Sequence, residues 1–525
     1  MSEVSKVNIP LPKVKKWVLL ITLMMFGFIM PYTTLARMTF LPVVMAEFNA
    51  MHMYALVSIT GLLSIALANP IAGKLGDMYG RKAVLLWGVI LFASSCVICG
   101  MATNAYIFIL GILIFGIGYG SAVATIKTLI ADICETAEQP KVQGLTGMIE
   151  NAAQLIGPVL GGLFADYLNW RWAYLVCVPL TLIGLFIAYR SLPRRDKTKH
   201  AAYKVDIAGT IAFIVALPPL LIMISMGGSS IAWVSVESLI LICVSAIGFI
   251  SLILIERKVK EPMIALYMFK DAVFRRIFMT SILAVIASTS VQYYAVYIQN
   301  VCGLSSSVSG VLQLPRGVVT VFVVLIVGFI ISKTRNYKLI FIAESAMMLI
   351  ASLMFVFFTP QSNMILFTIS SILNGLGFGG IVVCALTFAQ EITPKHSLGA
   401  ASSLIIFTSS FGSSIGSAVA GMFVNGAWSK APSLIDDSLK SVLTPDQLAL
   451  LSDQATLQSS SVIESISQTL PAELVGTLDN TINALRMQLM SGLSRFSIFC
   501  VCAAAIAILY ALLLPKTAVK RAKEE

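Results

Sequence analysis

Two ionisable side chains, Glu150 and Arg316, stand far inside long apolar runs of this sequence. With a rise of about 1.5 Å per helical residue, Arg316 lies about 12 Å from one end of its run, and Glu150 is comparably deep in its own. An ionisable group at such depth in a membrane costs roughly 3 kcal/mol, so it faces a partner or a water-filled cavity. A carboxylate there can exchange a proton and a guanidinium can neutralise an anion; these readings are favoured over structural ion pairing. Arg37 lies nearer the end of its run, where its long side chain either snorkels to water or contacts a solute. Lys127 and Glu391 fall near run ends and read as interfacial, while Glu344, roughly two turns into its run, fits either role. A polar aromatic block follows at Gln292, Tyr293, Tyr294, Tyr297, Gln299 and Asn300. Tyr293 and Tyr297 share a helix face, as do Gln292 and Gln299. Phenols beside amides suit an amphipathic organic ligand, offering apolar area and orientable hydrogen bonds. The alternative is an aromatic belt at a membrane surface. The ligand reading is favoured for Gln292 and Tyr293, and the two stand level for Tyr297.

What must position these groups is a set of membrane helices. Of 525 residues 58% are apolar and 12% charged, which excludes an ordinary soluble domain. Fourteen segments approach the requirement of about 20 predominantly apolar residues. They lie near 18–40, 53–73, 84–101, 106–130, 144–165, 172–189, 206–226, 236–255, 275–299, 308–332, 338–358, 364–390, 398–424 and 494–514. The net charge of +11 is placed on one side of such a membrane. Lys6, Lys13, Lys15 and Lys16 precede the first run; Arg190, Arg194, Arg195, Lys197, Lys199 and Lys204 join the sixth and seventh; Lys516, Lys520, Arg521 and Lys523 close the chain. The positive-inside rule puts all three clusters, and both termini, in the cytoplasm, so the basic excess calls for no nucleic acid. The acidic segment 425–491 then lies outside. Nothing upstream of Trp17 resembles a cleaved leader, and the first run reads as a retained span.

The nine cysteines are scattered and the three histidines, His52, His200 and His396, lie in different loops. No metal site or cofactor is expected from that spacing. No Gly-x-x-x-x-Gly-Lys-Ser/Thr loop is present and no catalytic constellation is visible, so neither nucleotide hydrolysis nor another enzymatic activity is expected.

Between the second and third runs, Gly73-Lys-Leu-Gly-Asp-Met-Tyr-Gly-Arg-Lys82 packs glycines with Asp77 and the cations Lys74, Arg81 and Lys82. Glycines permit close turning, and the charges can make a breakable latch. A plain basic hairpin explains the cations but not the glycine spacing or Asp77. The stretch resembles the signature loop of the major facilitator superfamily. Gly157-Pro-Val-Leu-Gly-Gly162 is similar to that superfamily's antiporter motif, with Ala153 where a leading glycine is usual; simple close packing of small residues is the other reading. Asn169-Trp-Arg-Trp-Ala-Tyr174 with Pro179, Tyr297-Ile-Gln299 with Gly303, Gly310 and Pro315, and Asn374-Gly-Leu-Gly-Phe-Gly-Gly380 with Gly412, Gly416 and Gly421 resemble the fourteen-span drug:proton antiporter family. The paired indoles Trp170 and Trp172 suit an external membrane interface.

That resemblance covers nearly the whole chain. It implies an all-α polytopic membrane protein with a major facilitator fold: two six-helix bundles plus two extra central helices. The expected divisions are 1–190, a linker and extra pair over 191–274, and 275–525 with the long external loop 425–491. Two departures stand out. The family's acidic residue in span one is absent, Tyr32 and Thr33 occupying that place, and its span-four arginine is Ile112 here. Tyr32, Thr33 and Asn374 join Glu150, Arg316, Arg37, Gln292, Tyr293 and Tyr297 as candidate substrate or coupling residues. Gly73, Asp77, Gly80, Arg81, Lys82, Gly157, Pro158, Gly161 and Gly162 are the candidate gating residues. The resemblance implies proton-coupled efflux of amphipathic organic compounds by a monomer in the plasma membrane. Arg37, Arg316 and the missing acid motivate a second reading, a carrier of organic anions such as bile-acid-like carboxylates. A non-transporting sensor is a third; the segment 425–491 reads as a helical hairpin over the vestibule or a folded connector, with Pro471 and Gly476 interrupting it.

Overall fold

Long apolar runs become helices, and many of those helices begin where a polar side chain can satisfy a free amide. The computed structural model describes residues 12–134, 139–192, 207–227, 231–256, 266–393, 398–458 and 460–515. In chain order the first helices are α1 (Lys13–Glu47), α2 (Tyr54–Tyr79), α3 (Arg81–Gly100), α4 (Ala105–Ile133), α5 (Gln139–Leu163), α6 (Trp170–Leu175) and α7 (Cys177–Ser191). Then come α8 (Ile207–Met226), α9 (Val236–Glu256), α10 (Ala272–Ser288), α11 (Tyr294–Val296), α12 (Ser306–Thr334), α13 (Tyr337–Val356), α14 (Met364–Phe378), α15 (Ile381–Ile392) and α16 (Leu398–Trp428). Short helices α17 (Asp437–Val442), α18 (Pro445–Ser452) and α19 (Ser460–Thr469) lead to α20 (Ala472–Leu512). Asn104 starts α4 by accepting from the Ile107 amide at 2.9 Å, and Asp271 starts α10 by accepting from Val273 at 2.7 Å.

Twelve helical stretches among the described residues are long and apolar enough to cross a membrane, and they coincide with twelve of the fourteen expected segments. The other two fall on α5 and α8, where the described apolar helical stretches are Leu155–Leu168 and Ile211–Met226.

Helices α1 to α7 pack into one bundle, chiefly through α1 on α5 and α7, and α4 on α2 and α3. Helices α10 to α16 and α20 form a second, chiefly through α13 on α14 and α20, and α10 on α16 and α20. The bundles meet where α5 crosses α12 and α2 crosses α16. The pair α8 and α9 is held together by Ser245 donating to the Ala216 carbonyl at 2.7 Å, and α8 packs against both α2 and α16 at the edge of that meeting.

The two ends of the molecule differ. One end, the linker face, carries the α2–α3 turn and the ends of α7 and α20. The other, the loop face, carries the ends of α1 and α5, the start of α12 and the segment after Trp428. The expected loop 73–82 is mostly helix: α2 runs to Tyr79, and the turn is Gly80 alone, at φ 94°, where an L side chain would be strained. Local pattern reading places a turn within such a polar stretch but not at one residue, because polar residues are tolerated in a helix that leaves the apolar layer.

On the loop face the segment 425–491 is a helical cap. Leu439, Leu451, Leu457, Leu478 and Leu485 are buried in the same apolar core as α1 and α4. The Trp428 indole donates to the Ser452 carbonyl at 3.1 Å and Gln488 to Ala427 at 2.8 Å. Pro471 does mark a break, as the residue before α20, whereas Gly476 lies within that helix. At 41 residues α20 is about 60 Å long, twice the hydrocarbon thickness, so its first half stands clear of the apolar layer. The basic linker cations Arg194, Arg195, Lys197, Lys199 and Lys204, and those of both chain ends before Pro12 and after Lys516, lie outside the described residues.

Candidate functional site

Among the described residues Arg37 is the most buried cation of the first bundle, 2% exposed, although its nearness to a run end allows a path to water. Its guanidinium stands 5.2 Å from the centre of the Phe115 ring, and Nη1 has no hydrogen-bond partner among the described residues. A methyl built on Gly61 would touch Arg37 Nη2 at 2.9 Å and the Ile112 side chain at 3.2 Å. The guanidinium therefore fills the space beside position 112, between α2 and α4. It acts electrostatically on the Tyr54 and Tyr174 hydroxyls. Glu150 lies elsewhere in the bundle, half-buried on α5, with its side chain beside Gly27 of α1 and in electrostatic contact with Tyr119 of α4. Tyr32 stacks on Phe28 at 6.2 Å, and the Thr33 hydroxyl bonds back to Ile29 at 2.7 Å and approaches the Cys177 sulfur at 3.6 Å.

In the second bundle Arg316 Nε donates to Asn374 Oδ1 at 3.3 Å, and Asn374 Nδ2 donates to Ser290 Oγ at 3.4 Å. Arg316 is half-buried and Asn374 fully buried, so α14 presents the amide as a rest for the guanidinium. Among the described residues Arg316 pairs with no carboxylate. Gln292 is spent on structure: its side-chain oxygen accepts from Ser417, and its carbonyl accepts from the Tyr54 hydroxyl of the other bundle at 2.8 Å. The Tyr293 ring packs on Tyr54 at 5.3 Å and on Phe496 at 5.7 Å. Tyr297 lies among Phe355, Phe358 and Phe367, its hydroxyl donating to the Thr359 carbonyl at 3.0 Å. The structure thus joins Arg316 with Asn374, and Gln292 and Tyr293 with Tyr54, but brings neither pair to Glu150.

The bundles are seamed together in their loop-facing halves. α5 is a two-sided helix of small residues. Gly157 and Gly161 face α1, with Tyr32 O 3.2 Å and Ala36 Cα 2.7 Å from where a Cβ would be. Gly162 faces the start of α12, where a Cβ would come within 2.9 Å of Ser307 Cα. Gly310 of α12 meets α5 in return, where a Cβ would stand 3.0 Å from the Pro158 carbonyl carbon. Nothing larger than hydrogen fits these crossings without moving backbone. Across the seam, Asp166 accepts from the Ser306 amide at 3.2 Å and the Ser307 amide at 2.6 Å, capping α12 from the other bundle. Gln299 donates to Thr39 O at 2.7 Å, and Asn425 to His52 O at 3.1 Å. Above the seam lies a cavity of about 660 Å³ lined by Glu47 and Asp166, by Gly303 to Ser306, and by Asp453 of the cap.

Trp170 does not meet a membrane interface. It is 2% exposed, packed on Phe48 and Phe108, and its indole donates to Glu47 at 2.6 Å, while Arg171 pairs with the same carboxylate at 2.8 Å. Trp172 is the exposed member of the pair. At the linker face Arg81 donates to the Thr128 carbonyl at 2.9 Å, and Lys82 to the Tyr189 and Leu192 carbonyls at 2.7 and 2.5 Å. These cations satisfy carbonyls near the ends of α4 and α7, the end of a helix that favours positive charge. The surroundings of Gly73 and the side chains of Lys74 and Asp77 lie outside the described residues.

Sequence reasoning passed over Tyr54, Asp166 and the depth of burial of Glu344. Asp166 follows Gly162 by four residues, so a carboxylate one turn beyond a small-residue helix was its only local signal.

The sequence matches the family model described as Major Facilitator Superfamily over residues 17–417. Among curated proteins it is 30% identical to the Multidrug transporter protein MdtP of Bacillus subtilis (strain 168), covering 76% of this chain and 73% of that one. It is 29% identical to Multidrug resistance protein 3 of the same organism, covering 72% and 73%, and 24% identical to Efflux pump FUS6 of Gibberella fujikuroi, covering 81% and 78%. Among solved structures, a bacterial homologue of the human lysosomal transporter Spinster, in an inward-facing and unoccupied conformation, aligns with a TM-score of 0.61 at 15% identity, covering 95% of this chain and 98% of that one. A family model matched over most of the length, and two helical bundles seamed where α5 crosses α12, lead to one assignment: this chain belongs to the major facilitator superfamily.

Proposed function

We propose that this multi-pass membrane transporter exports amphipathic organic compounds in exchange for protons by alternating access. The observation that carries the reading is the position of Glu150. It is a half-buried carboxylate on α5, the helix whose Gly162 makes the seam with α12, about 18 Å from that seam along the helix. A proton exchanged at Glu150 acts on the helix that must shift when the loop face opens. The seam is built of glycine contacts and a few hydrogen bonds, each worth about 1 kcal/mol, which suits a contact made and broken in every cycle. The named multidrug and efflux relatives support the substrate class. The same reading takes α5 and α8 as spans, giving fourteen, with divisions at 1–190, 191–274 and 275–525. It places both termini in the cytoplasm, the loop face outside the plasma membrane, and a monomer as the working unit.

The test is flux in proteoliposomes under an imposed pH gradient, comparing ethidium, a lipophilic cation, with cholate, an amphipathic carboxylate. Gradient-driven ethidium movement that Glu150→Gln abolishes supports proton-coupled efflux. Binding of either probe without flux would move the assignment to a sensor. A second reading rests on Arg316, which pairs with no carboxylate among the described residues and rests on a neutral amide. A carboxylated solute would complete it. Cholate flux that Arg316→Ala reduces, with ethidium inert, would establish the anion carrier.

A further inference from the structure

Glu344 is 4% exposed, and neither carboxyl oxygen has a hydrogen-bond partner among the described residues. It lies two turns into α13, facing the place where α14 ends and α15 begins. That junction is Gly379-Gly380. A Cβ at Gly380 would collide with Glu344 Oε1 and stand 2.6 Å from the Val327 side chain of α12, and one at Gly377 would lie 2.7 Å from the Glu344 carbonyl oxygen. The absence of a side chain at Gly380 is what gives the carboxyl its room. Gly380 precedes the first turn of α15 without a side-chain cap, and its amide lies beside the carboxyl without completing a hydrogen bond. The junction thus offers a buried helix start to an unpartnered acid.

The surroundings contain nothing to neutralise an ionised carboxylate. α12 presents Val327, α14 presents Gly377, the junction presents Gly380, and α15 presents the Cys384 thiol, which feels the carboxyl's charge. No charged group of α10, α12, α14, α15 or α20 among the described residues acts on it. An unpaired carboxylate at this depth is too costly to persist, so in this arrangement the carboxyl carries its proton.

We propose that Glu344 is a proton-binding site of the transport cycle, loaded while the α14–α15 junction is closed on α13 and emptied when that junction swings away and admits water. The idea rests on the transport reading above and adds a second carboxyl in the opposite bundle from Glu150. What connects it to a solute is α14 itself. Asn374, which holds Arg316, lies four residues before the end of α14 at Phe378, about 6 Å along that helix. A ligand that draws Arg316 off Asn374 therefore acts on the helix whose far end covers Glu344. No bond is made or broken except O–H, and the proton leaves to water.

Infrared titration of the purified full-length protein tests this. The wild type should show a protonated-carboxyl band at neutral pH that Glu344→Gln removes and Glu344→Asp shifts, and the band should vanish at alkaline pH while the protein stays folded. A band untouched by both variants, or one that persists across the whole range in which the protein is folded, makes Glu344 a fixed structural group and overturns the proposal. In proteoliposomes, Glu344→Gln should lower gradient-driven ethidium export about tenfold while ethidium exchange without a gradient continues. Unchanged gradient-driven export would also overturn it. If the wild type moves no ethidium, the transport reading fails by itself, and the infrared titration still decides whether Glu344 exchanges a proton.

Discussion

Arg37 is a cation without a counter-ion among the described residues, enclosed by α1, α2 and α4. Read by column, the sequence lacks the arginine expected at position 112; read in space, a guanidinium lies against that position, delivered from α1. Depth along a helix is legible in hydropathy, but the direction of a side chain toward a neighbouring helix is not, which is why the sequence alone fits Arg37 to water and to a solute equally. The same limit hid Glu344, whose surroundings are set by glycines more than 30 residues later. Replacing buried ionic groups by well-packed apolar side chains of similar volume is often neutral or stabilising by about 1–4 kcal/mol. Arg37→Met should therefore hold or raise the unfolding temperature in detergent while cutting gradient-driven flux. The charge influences the Tyr54 hydroxyl, and Tyr54 bridges the bundles to Gln292. A variant that melts lower and transports normally would show that Arg37 is only a packing element.

At the scale of elements, α5 is the informative one. Its Gly157–Gly162 run was legible as a close-packing motif, because small residues at helical spacing have one physical use in a membrane. Which helices it packs against was not, since Ser306 and Gly310 lie some 150 residues away in sequence. Nor was the role of Asp166, whose partners are backbone amides of α12. Loss of a carboxylate cap costs about 0.5–2 kcal/mol. Because this cap joins the two bundles, that cost falls on the closed loop face. With Ser309→Cys as a reporter buried beside the seam, in a background without native thiols, Asp166→Ala should speed labelling by an impermeant maleimide about fivefold. Gly162→Leu should do so more strongly, because its side chain would meet the α12 backbone. Labelling as slow as in the reporter alone would mean that the seam holds without the cap.

At the scale of the molecule, the cap ties the loop face to one bundle. Residues 472–512 form one uninterrupted helix, so the part that stands clear of the apolar layer is continuous with the last span of the second bundle. The Asn300 side chain donates to the Gln454 carbonyl at 3.2 Å, again within that half. Toward the first bundle the cap packs on α1 around Gln454–Gln458 and meets Glu47 and Asp166 across the loop-face cavity. Rigid-body rocking then requires the cap to travel with the second bundle and part from the first. Spin labels at the exposed Asn104 and Asn363 report on the loop face, and labels at Arg190 and Arg335 on the linker face. Acidification or added ethidium should move the two pairs in opposite senses. A third label at the exposed Ser438 should hold its distance to Asn363 and change its distance to Asn104 in step with the loop-face pair. If the Ser438–Asn104 distance stays fixed while the loop-face pair separates, the cap belongs to the first bundle. If the linker-face pair does not move at all, the motion is a local gate over the vestibule and alternating access by rocking is wrong for this protein.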